Sequence, residues 1–69
     1  MSGYFSSGDI GYTPSSASDI KLNHEVLLND GTEGTIIYVY SGGIKYDVQT
    51  TTGANIVAYY SQIVRYRAK

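Results

Sequence analysis

The sequence predicts an all-β fold: a five-stranded barrel behind an extended N-terminal arm. Three observations carry that prediction. No stretch shows apolar residues at helical spacing over the roughly 11 residues that such a pattern needs. From Asn23 onward, runs rich in β-branched and aromatic residues alternate with short turn signals. A flat meander of so few residues would leave an apolar face and two bare edges exposed, and curling into a barrel removes both.

The arm is assigned to residues 1–22 and the barrel to residues 23–69. Glycine and serine dominate residues 1–20, and their low apolar content cannot offset backbone ordering of about 1–2 kcal/mol per residue. Tyr4, Phe5, Ile10, Tyr12 and Ile20 interrupt this stretch. Aromatic side chains in an arm suit a partner's groove, because they bury large area at modest entropic cost. The alternative is that Tyr12 and Ile20 fold back onto the chain's own barrel.

The strands follow in order. His24-Glu25-Val26-Leu27-Leu28 reads as a short strand, and Asn29-Asp30-Gly31 as a turn, since these residues tolerate positive φ. Glu33 to Tyr40 is the run densest in β-branched and aromatic residues. Gly34 and the paired Ile36-Ile37 within it suit the bend that closure demands. Ser41-Gly42-Gly43 is a hairpin turn. Ile44 to Thr50 alternates apolar and polar residues, so one face is buried and one is wet. Thr51-Thr52-Gly53 turns the chain, Ala54 to Tyr59 forms a fourth strand, Tyr60-Ser61-Gln62 fits one 3₁₀ turn, and Ile63 to Arg67 forms the fifth strand.

The run Val26, Asp30-Gly31, Gly34-Thr35-Ile36-Ile37-Tyr38-Val39 resembles the opening hairpin of SH3-like small barrels, a group that includes KOW and Tudor domains and the small SH3-like subunit of photosystem I. The ending Val57-Ala58-Tyr59-Tyr60-Ser61-Gln62-Ile63-Val64 resembles their closing strand, 3₁₀ turn and last strand. The resemblance spans about residues 23–67 and implies the SH3-like barrel, a fold that hosts many unrelated tasks. It implies a core of Val26, Leu28, Ile36, Val39, Tyr46, Val48, Val57 and Ile63. Several of Tyr38, Tyr40, Tyr59, Tyr60 and Tyr66 then belong to the open face.

Catalytic chemistry finds little to work with. There is no cysteine, hence no disulfide framework and no thiolate ligand, and a single histidine does not make a histidine-built zinc site. His24-Glu25 matches the start of a zinc-protease signature, but Leu28 stands where the second histidine is required. Asp30, Glu33 and Asp47 read as turn and surface carboxylates. Gly42-Gly43 lacks the spacing and the lysine of a phosphate loop. The trimethoprim-resistant dihydrofolate reductases with this barrel use a Val-Gln-Ile-Tyr strand, whereas the stretch here is Asn55-Ile56-Val57-Ala58-Tyr59, without the glutamine. The expectation is therefore no enzyme, with no catalytic residue, cofactor or metal.

Binding chemistry is better represented. Tyr38, Tyr40, Tyr46, Tyr59, Tyr60 and Tyr66 lie close together in the chain. Alternate tyrosines on a strand share a face, which makes an adhesive aromatic surface. The formal charge of −1 hides an asymmetry: residues 1–31 hold one lysine against four acids, net −3, and residues 32–69 hold four basic residues against two acids, net +2. The expected partner-binding set is Tyr4, Phe5, Ile10, Tyr12, Tyr38, Tyr40, Tyr59, Tyr60, Arg65, Tyr66 and Arg67. The function this implies is structural. The chain is similar in style to small bacteriophage virion components, such as capsid cement or head–tail and tail accessory proteins, and its partners would be neighbouring subunits or further copies. The alternative is a KOW-like nucleic-acid- or ribosome-associated module using Tyr38, Tyr40, Lys45, Arg65 and Arg67. No apolar run approaches the roughly 20 residues of a membrane span, and no signal-peptide pattern opens the chain. The expected location is the virion if phage-encoded and otherwise the cytoplasm.

Overall fold

The computed structural model describes residues 11–68. The expected arm residues Tyr4, Phe5 and Ile10 lie outside them. Five antiparallel strands follow a short 3₁₀ turn, η1 (Ala17–Asp19): β1 (Glu25–Leu28), β2 (Glu33–Val39), β3 (Lys45–Thr50), β4 (Asn55–Tyr59) and β5 (Ile63–Arg67). A second 3₁₀ turn, η2 (Tyr60–Gln62), joins β4 to β5. The turn residues set these boundaries. Gly42 and Gly43 both take positive φ, 98° and 74°, which a residue with a Cβ adopts only under strain, and the Gly43 N–H closes the turn on the Tyr40 carbonyl at 3.0 Å.

All five strands belong to one sheet, ordered β4-β3-β2-β1-β5. The expected barrel closure is not made by a ladder: β4 and β5 form the two edges of the sheet. The sheet is nevertheless strongly coiled. Four gaps of about 4.8 Å would set the edges of a flat sheet about 19 Å apart. A 3₁₀ turn rising about 2 Å per residue cannot span that distance. Only a coiled sheet lets three residues connect its edges. The backbone of η2 then bonds to both sides, Tyr60 N–H to the Ile44 carbonyl and Asn29 N–H to the Gln62 carbonyl, each at 2.8 Å.

Two irregularities bend the strands. Ile36 pairs with Val48 and Tyr38 with Asp47, so Ile37 is the extra residue of a β-bulge, at the site where the sequence suggested a bend. Val64 is extra in the same way between β1 and β5. Gly34 lets β2 and β3 approach closely: a Cβ there would stand 2.5 Å from Val48 Cγ1 and 2.6 Å from the Gln49 carbonyl oxygen.

The core contains Ile20, Val26, Leu28, Ile36, Tyr46, Val48, Ala58 and Ile63. Two expected members differ. Val39 is half-buried and packs against the cluster, and Val57 is 48% exposed while its neighbour Ala58 is fully buried. The register explains the exchange. Tyr46 and Val48 point inward from β3 and sit opposite Ala58 and Ile56, which sends Asn55, Val57 and Tyr59 to the other face. A small residue is required beside the buried Tyr46 ring, whose hydroxyl donates to the Gly43 carbonyl at 2.7 Å.

The second half of the expected arm packs on the sheet. Ile20 is 4% exposed and belongs to the core. Tyr12 forms an antiparallel bridge with Tyr66 through two backbone hydrogen bonds of 2.8 Å. Of the two alternatives for Tyr12 and Ile20, they take the one that folds back. The serine-rich stretch between them forms η1, because Asp19 Oδ2 accepts from Ser15 N–H at 2.8 Å, Ser15 Oγ at 3.0 Å and Ser16 N–H at 3.3 Å. Those bonds hold the Asp19 carboxyl below its ordinary pKa.

Candidate functional site: the outer face of β2, β3 and β4

Among the residues that do not face the core, two rows across three strands carry the aromatic side chains. Tyr38, Asp47 and Val57 are register partners in the first row. In the second, Tyr40 N–H donates to the Lys45 carbonyl at 2.9 Å, and Lys45 pairs with Tyr59. The bulge at Ile37 creates this arrangement, because the extra residue sets Tyr38 and Tyr40 on the outer face and turns Val39 inward.

Tyr40 organises the face. Its hydroxyl donates to Asp47 Oδ1 at 2.8 Å, Lys45 Nζ lies 4.6 Å from its ring centroid, and its ring meets that of Tyr38 edge-on at 4.9 Å. Both charges of these two rows are thus directed onto one half-buried ring. The hydrogen bond to the Asp47 carboxylate, aided by desolvation, pushes the Tyr40 phenol above its ordinary pKa. Around this centre Tyr38, Val57 and Tyr59 are 54%, 48% and 46% exposed. Ile44, equally exposed, joins Tyr59, Tyr60 and Ser61 around a recess of about 230 Å³.

A larger cavity, about 470 Å³, lies between the Asp30–Glu33 and Thr50–Ala54 segments. Its polar groups serve the turns. Thr32 N–H donates to Asp30 Oδ1 at 2.9 Å, which holds that carboxyl below its ordinary pKa. Thr50 Oγ1 accepts from Ala54 N–H at 3.1 Å and bonds the Thr52 hydroxyl at 2.8 Å. No group of three metal-ligating side chains occurs among the described residues.

The expected partner-binding residues separate into two places. Tyr38, Tyr40, Tyr59 and Tyr60 gather on or beside the outer face. Tyr12, Arg65, Tyr66 and Arg67 instead form the seam between the N-terminal segment and β5. There the Tyr66 ring packs between Tyr12, 5.9 Å away, and His24, stacked at 5.7 Å. Arg65 donates to the Thr13 hydroxyl. Arg67 Nε and Nη2 both donate to Glu25 Oε1, at 2.9 and 2.6 Å. Glu25 is the one buried charged residue among those described, 7% exposed, and the sequence reading gave it no structural role. Ile44 and Val57 were also missed as surface residues. Val57 sits in an apolar run whose facing depends on the neighbouring strand, and Ile44 lies between the Gly42-Gly43 turn and the start of β3.

No helix among the described residues is long and apolar enough to cross a membrane. Comparison with protein-family models, with curated proteins and with solved structures gives no significant match.

Proposed function

We propose that this chain is a non-enzymatic assembly protein, an SH3-like barrel that adheres to neighbouring subunits in a larger particle, in the manner of a small virion component. The observation that carries this reading is the outer face: three exposed apolar or aromatic side chains, Tyr38, Val57 and Tyr59, surround a Tyr40 that already absorbs both nearby charges. Such a surface offers area and few unmatched charges, which suits protein contact. The strand order, the η2 joint and the bulge at Ile37 support the SH3-like barrel. The nucleic-acid alternative draws on Lys45, Arg65 and Arg67. These lie against Tyr40, Thr13 and Glu25 respectively, within the chain.

The test is co-sedimentation from the native source. The chain is expected to run with a particle far larger than itself. A Tyr38→Ser/Tyr59→Ser double variant is expected to leave that particle while keeping the circular dichroism of the parent. A chain that runs alone, or a double variant that stays bound, overturns the proposal. Binding to nucleic acid that falls steeply with salt would favour the alternative.

A further inference from the structure

The two edges of the sheet are treated differently. β5 is covered by the Tyr12 bridge, carries Arg65 and Arg67, and is bulged at Val64. Each of these features blunts an edge against foreign strands. β4 has none of them. Its five residues, Asn55-Ile56-Val57-Ala58-Tyr59, contain no charge, proline or glycine. Their register with β3 is unbroken from Lys45↔Tyr59 to Gln49↔Asn55. Among the described residues nothing pairs with its outer side.

The phase of the ladder shows which backbone groups are on offer. Thr50 N–H bonds the Ala54 carbonyl and Tyr60 N–H bonds the Ile44 carbonyl, both at 2.8 Å. Hydrogen-bonded pairs alternate in an antiparallel ladder, so Ile56 and Ala58 also turn their backbone groups to β3. Asn55, Val57 and Tyr59 turn theirs outward. Tyr59 N–H is taken by Gln62 Oε1 at 2.8 Å, which ends the free edge at that residue.

We propose that this edge pairs antiparallel with the β4 edge of a second copy, about a twofold axis at Val57. The free groups are self-complementary in that register. Val57 of each copy faces Val57 of the other and exchanges two hydrogen bonds. Asn55 N–H of each copy donates to the Tyr59 carbonyl of the other, giving two more. The register leaves two groups of each copy unused: the Tyr59 N–H, already held by Gln62, and the Asn55 carbonyl that it would otherwise meet. A neutral edge brings no like charges together at the axis, and the two Val57 side chains, each 48% exposed, cover one another. A second copy supplies the same uncharged strand and the same exposed Val57, so the pair matches side chain to side chain as well as backbone to backbone. The edge shares Val57 and Tyr59 with the tyrosine face, but the two readings are tested apart: purified chain alone tests the edge, whereas the assembly role requires native particles.

The experiment is sedimentation velocity of the full-length chain over a concentration series, with two variants. Val57→Pro removes an N–H that the β3 ladder does not use, a position where an edge strand tolerates proline. Val57→Lys sets two positive charges on the axis. The wild-type chain is expected to pass from monomer to dimer, with slowed Val57 amide exchange and intermolecular Ile56–Ala58 Hα contacts in the dimer. Both variants are expected to stay monomeric at concentrations where the wild type is dimeric. If Val57→Pro does not fold, Val57→Lys decides alone. A wild-type chain that is monomeric throughout overturns the proposal, as does a dimer that survives Val57→Lys.

Discussion

Tyr40 shows how much one side chain can decide at this surface. Without Tyr40, whose hydroxyl donates to the Asp47 carboxylate and whose ring lies under the Lys45 ammonium, the face would present two loose charges beside its exposed aromatics. The hydrogen bond also marks Tyr40 spectroscopically. Its folded-state pKa lies above the ordinary 10.0, chiefly because the phenol donates to a carboxylate. The protonated form is therefore favoured in the fold. The corresponding stability is constant below the unfolded pKa and is lost as pH rises through the folded value. Asp47→Asn is expected to return the Tyr40 titration toward 10.0, read as tyrosinate absorbance differenced against Tyr40→Phe. An unchanged titration would show that the bond does not govern the phenol. The exposed tyrosines were legible in the sequence as a group, but not their division between the outer face and the Tyr12–Tyr66–His24 seam. That division depends on the bulge at Ile37 and on where the N-terminal segment lies.

At the scale of elements, strand positions follow from turn chemistry: Asp30-Gly31, Gly42-Gly43 and Gly53 end their strands wherever the rest of the chain goes. The facing of β3 was equally readable, because Tyr46 and Val48 alternate with Asp47 and Gln49. β4 carries no such instruction. Ile56, Val57, Ala58 and Tyr59 are all apolar or aromatic, and a shift of one residue exchanges the faces without any polar penalty to reveal it. Only the register with β3 settles the phase, and settles it in favour of a small Ala58 against the Tyr46 ring. Substitution tests this directly. Ala58→Leu is expected to lose about 1–3 kcal/mol through overpacking, a fall in melting temperature of about 4–8 °C per kcal/mol in a domain this small. Val57→Leu is expected to stay within about 0.5 kcal/mol of the parent. The reverse ranking would place Val57 inside.

For the whole molecule, long-range contacts decide what local patterns left open. A serine- and glycine-rich beginning reads as an arm because its neighbours in sequence cannot bury it. Ile20 is buried by strands that come later, and Tyr12 finds Tyr66 near the other end of the chain. Glu25 and Arg67, 42 residues apart, are joined in the same way. The opposed charges of the two halves of the sequence thus meet in part within one molecule. The Tyr12–Tyr66 bridge has a consequence for topology as well as stability. The two ends of the described chain leave the sheet side by side, so the fold is nearly a closed ring of sequence. A circular permutant is expected to fold, with a short linker joining Ala68 to Gly11 and new ends opened between Ser41 and Gly42. Its cooperative melt and β-sheet dichroism would confirm this. An unfolded permutant would show that the order of the strands along the chain is itself required. If the ring holds, the same domain can be set into a surface loop of another protein as a single insert, entering and leaving at one point.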